Sequence, residues 1–129
     1  MARMEMPFTQ DAFFAVFGRY NTTIWPLIAL FYLLGGTSVA MLFRPSRTAA
    51  LFISLVLAAM WLVNGLGYHW TFFRAINPAA ALFAAVFVVQ ATLLAVLSLL
   101  NTDLRFTARR DTRSAMGFML VLFAEILYP

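Results

Sequence analysis

Few residues in this 129-residue chain could carry chemistry. The sequence has one histidine, His69, five scattered acidic residues and no cysteine. Catalysis needs a nucleophile, an acid–base pair or a metal site whose members lie together, and no spacing in this chain predicts such a group. Without cysteine there are also no disulfides and no thiolate ligands. The sequence therefore predicts a protein that is not an enzyme.

His69 is the first candidate for a site, because it lies among aromatic residues between two apolar runs. A neutral imidazole can ligate a metal or a pigment magnesium, and flanking rings could cover a flat molecule. A lone histidine more often forms a hydrogen bond to a carbonyl or a loop side chain, since nothing here supplies a second ligand. We predict that His69 fixes its loop. A pigment or lipid beside His69 is the alternative, and no other cofactor or metal is predicted.

Three further polar residues, Asn64, Gln90 and Glu125, lie inside apolar runs. A polar side chain in lipid is costly without a partner, so we expect Asn64 to point inward and Gln90 to form an interhelical hydrogen bond. An acid in a membrane span is a functional candidate by default. Because Glu125 is close to the chain end, we expect a structural role, with a hydrogen bond to a neighbouring helix or to outer water.

The helices that hold these residues are predicted to lie in a membrane, because the composition of the chain is very apolar. Hydrophobic residues make up 64% of the chain, charged residues 11%, and the mean hydropathy is +0.88. Such values are far too apolar for an ordinary soluble domain. The positive charge is distributed between the apolar runs instead of forming one basic face, which argues against nucleic-acid binding. We predict membrane lipids as a partner and an all-α fold.

The pattern predicts one domain over residues 1–129, an integral-membrane bundle of four transmembrane helices preceded by a short amphipathic helix. The short helix, about residues 9–20, is too short to cross a core of about 30 Å and is expected to lie in the interface. The spans are expected at about residues 24–43, 48–67, 78–100 and 115–129. Asn21 to Thr23 would cap the first span, with Pro26 in its first turn.

Two residues are predicted helix caps, and five are predicted to anchor the protein at headgroup level. Thr9 would cap the short helix, and Asn77 would cap the third span, followed by Pro78 at a position where a missing N–H costs nothing. Amphipathic rings and arginine favour the interface between membrane and water. The predicted anchors are Trp25, Tyr68, Trp70, Arg74 and Tyr128.

Small residues at three- or four-residue spacing predict the faces through which the helices pack. The first span carries Ala29, Gly36 and Ala40 on one stripe. The second carries Ser54, Ala58, Trp61, Gly65 and His69, and the third carries Ala80, Ala84, Ala91, Ala95 and Ser98. Each stripe is expected to face another helix of the bundle.

Arginine is distributed unevenly between alternate loops. Six arginines belong to the segment Arg44 to Arg47 and to the loop Asn101 to Ser114, and three lie on the other side. By the positive-inside rule the two basic loops are cytoplasmic, and the termini and the His69 loop are outside. No removable signal peptide is evident, so the first span is expected to direct insertion.

One motif resembles a known family. The chain reads Tyr68-His69-Trp70-Thr71-Phe72-Phe73-Arg74-Ala75-Ile76-Asn77-Pro78-Ala79-Ala80, preceded by Met6-Pro7-Phe8-Thr9 and Tyr20-Asn21. This pattern is similar to a bacterial family of uncharacterised integral-membrane proteins, a domain of unknown function, over the whole chain. The resemblance implies a fold and no activity. Members usually continue into further hydrophobic helices, so a shortened member is expected.

These observations predict a multi-pass protein of a bacterial inner membrane with both termini in the periplasm. Its abundant apolar surface, including 14 Phe and 7 Met, suits contact with lipid, pigment or other membrane subunits. We expect a non-catalytic accessory or assembly subunit of a larger membrane complex, for example an energy-transducing or pigment-containing one. A small channel or transporter is the alternative.

Overall fold

The computed structural model describes residues 5–127, and within them every regular element is helical. The elements in order are α1 (Gln10–Met41), α2 (Arg47–Leu62), a π-helix (Val63–Phe72), a 3₁₀ turn (Phe73–Ala75), α3 (Ala80–Leu100), α4 (Thr112–Leu122) and a C-terminal π-segment (Phe123–Leu127). The predicted all-α fold is confirmed for this part of the chain.

Within residues 5–127, three helical stretches are long and apolar enough to cross a membrane: Gln10–Met41, Arg47–Ala75 and Ala80–Leu100. This supports the prediction of a membrane protein. The helix α4 has 11 residues, and with the 5 residues of the π-segment it rises about 24 Å, short of a core of about 30 Å. The length criterion therefore supports three of the four predicted spans among the described residues.

The predicted interfacial helix and the predicted first span form one continuous helix, α1. The prediction of two separate helices is therefore wrong. Thr22 and Thr23 do not cap a new helix, because their hydroxyls donate to the carbonyl oxygens of Gly18 and Arg19 in the preceding turn. The backbone then continues as an α-helix, with Pro26 in its interior. At 32 residues α1 is about 48 Å long, so it extends beyond the hydrocarbon core.

The small-residue stripes of α2 and α3 pack against each other as predicted. Ser54, Ala58 and Gly65 are buried on one side, and the α3 residues Ala80, Ala84, Ala91 and Ser98 are buried on the other. A Cβ on Gly65 would lie 2.8 Å from Phe87 Cβ and 3.2 Å from the Ala84 carbonyl oxygen. The two backbones therefore approach closely at the position where a glycine lacks a side chain.

The predicted small stripe of α1 does not pack against another helix. Ala29, Gly36 and Ala40 are exposed, and a Cβ on Gly36 would meet nothing within 4 Å. The face of α1 that turns towards α2 carries large residues instead, and the adjacent Gly35 is the glycine with a close neighbour. The packing face of α1 is therefore rotated by about one residue from the predicted one.

Most of the predicted turn at Gly67 to Pro78 is helical. The backbone beyond Leu62 widens into a π-helix through Phe72 and tightens into the 3₁₀ turn before α3 begins at Ala80. A backbone that continues in helical form pairs its own polar groups, which an irregular loop at the membrane surface cannot do.

The two basic connections lie together at one end of the bundle, as the arginine distribution requires. The Arg47 guanidinium donates to the carbonyl oxygens of Asn101 at 3.0 Å and Leu99 at 3.3 Å. The Ala108 amide donates to the Leu42 carbonyl oxygen at 3.2 Å. The opposite end is formed by the start of α1 and the 3₁₀ turn, where Phe8 and Phe13 pack against Phe73.

Both predicted caps accept backbone N–H groups. Thr9 Oγ1 accepts from the Ala12 amide at 3.2 Å, and Asn77 Oδ1 accepts from the Ala79 amide at 3.1 Å. Because α3 itself begins at Ala80, Asn77 stabilises the turn that enters the helix. We expect Asn77→Leu to lower the free energy of unfolding by about 1 kcal/mol, the usual cost of a lost cap. Denaturation of both proteins in mixed micelles measures the difference, and an unchanged midpoint would show that the bond contributes nothing.

Candidate functional site

A cavity of about 590 Å³ lies between α1, the π-helix and the C-terminal π-segment. One wall is a stripe of large residues on α1 at three- or four-residue spacing, namely Phe13, Phe17, Tyr20, Ile24, Ile28 and Phe31. From Phe13 to Tyr32, which also lines it, the wall extends about 28 Å along the helix. The cavity is therefore a long cleft, and its volume falls within the range of about 300–1,000 Å³ typical of ligand pockets.

Three of the predicted polar residues, Asn64, His69 and Glu125, line this one cleft. They belong to different elements, since Asn64 and His69 lie on the π-helix and Glu125 on the C-terminal π-segment. Gln90 lies on α3 and does not line it. The fold thus brings together residues that are up to 61 positions apart in the sequence.

The two π-helical segments supply these polar groups. π-Helices are rare and occur frequently at functional sites, because the wider turn redirects side chains. The ten-residue segment Val63–Phe72 presents Asn64, Tyr68 and His69 to the cleft. No feature of the sequence predicted this change in helical geometry.

Aromatic rings close the cleft at the end nearest the 3₁₀ turn. Tyr68 is 9% exposed, and its ring stacks on Phe73 at 5.4 Å and meets Phe17 and Tyr20 edge-on at 6.0 and 5.3 Å. The prediction that Tyr68 anchors the protein at the headgroups is therefore wrong, because the π-helix turns the ring towards α1. Phe73 is also buried, at 8% exposure, and contacts Phe13.

His69 does not form the predicted hydrogen bond. Its Nδ1 atom is buried and has no hydrogen-bond partner among residues 5–127. The imidazole ring packs against the rings of Phe87 at 4.7 Å and Phe83 at 5.7 Å, both on α3. These neighbours are apolar, so they do not supply the carbonyl acceptor that was expected. A buried polar atom without a partner is uncommon in folded proteins, and here it belongs to a residue that lines a cavity.

Glu125 contacts the middle of α1 at Gly35. A Cβ on Gly35 would lie 2.8 Å from the Glu125 carboxylate Oε1, so only glycine leaves the carboxylate this position. The carboxylate makes no hydrogen bond or ion pair within the described residues, and the predicted bond to a neighbouring helix is absent there. Glu125 thus brings a charge-bearing group to the Tyr32 end of the cleft.

Asn64 and Gln90 also lack the partners that were expected for them. The Asn64 side chain is exposed where it lines the cleft, and Gln90 on α3 is half-buried. Neither amide forms a side-chain hydrogen bond within residues 5–127, so the predicted interhelical bond of Gln90 is not found there. The residues that α3 buries are alanines and Ser98, whose hydroxyl donates within its own helix, so this face offers Gln90 no polar partner.

Three further predicted anchors, Trp25, Trp70 and Arg74, do not line the cleft. Trp70 is 45% exposed and the Arg74 guanidinium carbon stands 3.8 Å above its ring, a cation–π pair that suits the headgroup region. Trp25 is 66% exposed and lies about 24 Å from Met41 along α1, so its anchoring role stays a prediction. Tyr128 lies outside the described residues.

The polar groups of the cleft are one imidazole, one carboxylate, two amides and three phenol hydroxyls. Within the described residues no three of the side chains of His, Cys, Asp and Glu lie close enough to hold an ion. The pigment or lipid that the sequence allowed beside His69 is not tested by this geometry. Sequence reasoning also missed Tyr20, Asn21 and Tyr32 as lining residues. The unbroken stripe from Phe13 to Phe31 would have pointed to them.

Comparison with known proteins gives one match. The model of a family described as a family of unknown function (DUF6064) matches residues 10–129. No curated protein and no solved structure matches the chain. Because the family model covers most of the sequence, the chain belongs to the family of unknown function DUF6064.

Proposed function

We propose that this protein is a non-catalytic accessory or assembly subunit of a larger complex in a bacterial inner membrane. The observation that carries the proposal is the isolation of α4. None of its residues is buried, and Met116, Met119 and Leu120 are 59%, 70% and 68% exposed. Its contacts with the rest of the chain include the Phe43–Phe118 ring pair at 5.8 Å, and the π-segment that follows it places Glu125 beside Gly35.

Contact with lipid alone adds little stability to a helix as short as α4. In a bilayer, apolar side chains lose no water when helices associate, so helices are held by close packing and polar contacts. The helices α2 and α3 have such contacts, whereas the surface of α4 has methionines and leucines without a packed neighbour. Methionine-rich faces adapt readily to other proteins. A second membrane protein packed on α4 would supply the missing contacts.

Site-specific photocrosslinking tests this proposal in membranes. A benzophenone amino acid at Met119 should form a discrete protein adduct, and purification of that adduct should retain the partner at fixed stoichiometry through detergent exchange. The matched control is Leu82 on α3, which is 67% exposed against 70% for Met119. Only lipid adducts at position 119, or the same protein adduct at both positions, would reject the proposal.

A small channel or transporter is the second candidate function, and the cleft is the observation that favours it. Polar groups inside a membrane that lack hydrogen-bond partners mark solute pathways. Asn64, His69 and Glu125 line one cavity, and their side chains have no hydrogen-bond partners among the described residues. A solute-dependent flux in liposomes that contain this protein alone would favour transport over assembly. Glu125→Gln, with assembly intact, should then abolish the flux.

The proposed orientation places both basic loops in the cytoplasm and the His69 segment outside. Single cysteines serve as reporters, because the sequence has none. Thr48 is the first position, because the nearby Ser46 caps α2 by accepting from the Ala49 amide and should be kept. Cysteines at Thr48 and Thr107 should resist an impermeant thiol reagent in intact cells, whereas one at the exposed Thr71 should react. The reverse labelling pattern would invert the orientation.

A further inference from the structure

We infer that the cleft binds a single-chain cationic amphiphile, a molecule with one long alkyl chain and one ammonium group. The inference concerns ligand chemistry, and it stands whether the protein assembles with a partner or transports a solute. It depends on the charge, the lining and the shape of the cleft.

The cleft carries one ionisable acid and no basic side chain apart from the imidazole of His69. All nine basic residues of the chain are arginines, and none of the eight within residues 5–127 lines the cavity. Glu125 at the Tyr32 end is therefore without a counter-ion from the described residues, and a carboxylate in a low-dielectric setting favours a cation from outside. This charge asymmetry selects against anionic ligands.

The walls add a second preference for a cation. Aromatic residues line much of the cleft, among them Phe31 and Tyr32 at the end where Glu125 lies. Ring faces attract ammonium groups, and they do so more strongly where water is excluded. A carboxylate beside aromatic rings therefore forms a site for an ammonium head.

The shape of the cleft determines the tail. Towards Phe13 the wall is formed by apolar and aromatic residues at helical spacing, which suits an alkyl chain lying along α1. A volume of about 590 Å³ spread over about 28 Å is a long, narrow space that suits one alkyl chain. The head then lies beside Glu125, and the tail points towards Tyr68 and Phe73.

Three amphiphiles with the same chain test the inference: dodecylammonium, dodecanol and dodecanoate. Each is titrated into the full-length protein in phosphatidylcholine nanodiscs, empty nanodiscs correct for partitioning, and native mass spectrometry counts the bound molecules. Dodecylammonium should bind at one per chain, at least about tenfold more tightly than the other two. Adding phosphatidylethanolamine to the nanodiscs, a two-chain ammonium lipid, should not displace it. Equal binding of the three amphiphiles, or displacement by the lipid, would overturn the inference.

Two variants locate the head. Glu125→Gln should weaken dodecylammonium binding at least about tenfold and leave dodecanol unchanged. Gly35→Ala should have a similar effect by displacing the carboxylate, since the new Cβ would lie 2.8 Å from Oε1 at the far end of a flexible side chain. The matched control is Gly36→Ala, whose Cβ meets nothing within 4 Å and which should bind like the wild type. Unchanged affinity in both Glu125→Gln and Gly35→Ala would overturn the inference.

Discussion

Phe73→Ala should lower the free energy of unfolding by about 3 kcal/mol, the largest effect that we expect from a single substitution. Phe73 is 8% exposed and contacts the rings of Phe8, Phe13 and Tyr68 at 5.3 to 5.9 Å. Removing a buried phenylalanine leaves a cavity and typically costs about 3–5 kcal/mol. The lower value applies here, because part of the unfolded chain remains in an apolar environment.

Equilibrium unfolding in mixed micelles of neutral detergent and dodecyl sulfate measures this change. Phe14→Ala is the matched control, since Phe14 is on the same end of α1 but is 58% exposed. It should change the unfolding free energy by less than about 0.5 kcal/mol, as surface substitutions usually do. If the two variants unfold alike, the ring cluster does not hold α1 to the 3₁₀ turn.

Gly65→Ala should destabilise the protein by about 2 kcal/mol and should separate α2 from α3. The new Cβ would lie 2.8 Å from Phe87 Cβ and 3.2 Å from the Ala84 carbonyl oxygen, neither of which is the end of a flexible side chain. Overpacking of this kind usually costs about 1–3 kcal/mol, because backbones must shift. Here it exceeds the gain of about 0.5–1 kcal/mol that alanine brings over glycine within a helix.

The same unfolding assay, with Gly36→Ala as reference, tests the role of Gly65. Gly36 lies in a helix and its Cβ would meet nothing within 4 Å, so alanine should be neutral or slightly stabilising there. A thiol crosslink between α2 and α3, from cysteines at Ala58 and Ala91, should form less readily in the Gly65→Ala background. If Gly65→Ala is as stable as Gly36→Ala, then close approach of these backbones is not what holds α2 on α3.

The sequence by itself determined the features that depend on local periodicity and on caps. Ser54, Ala58 and Gly65 on α2 and its continuation, facing Ala84 and Ala91 on α3, follow from small residues at helical spacing, and the structure buries all five. Thr9 and Asn77 accept backbone amides as their positions before helices predict. These features are readable because one turn of helix brings the relevant residues together.

The three polar residues at positions 21–23 of α1 led to the wrong prediction of a helix boundary, because their local sequence fits two structures. Asn21, Thr22 and Thr23 are good caps in isolation, but a threonine hydroxyl can equally donate to a carbonyl one turn back. Thr22 and Thr23 do so, and the helix continues past them. The stripe from Phe13 to Phe31 keeps its spacing across this point and packs on one side, which makes the continuous helix the better solution.

Only the tertiary structure decided where the unusual polar residues meet. Asn64 and His69 are far from Glu125 in sequence, and the three line one cleft because α2 widens into a π-helix and because the C-terminal π-segment returns to α1 at Gly35. Predictions from sequence periodicity assume about 3.6 residues per helical turn, so they cannot locate a π-helix or identify which segment packs against a glycine. The membrane character of the chain is a property of its composition, whereas the cleft is a property of packing between distant segments.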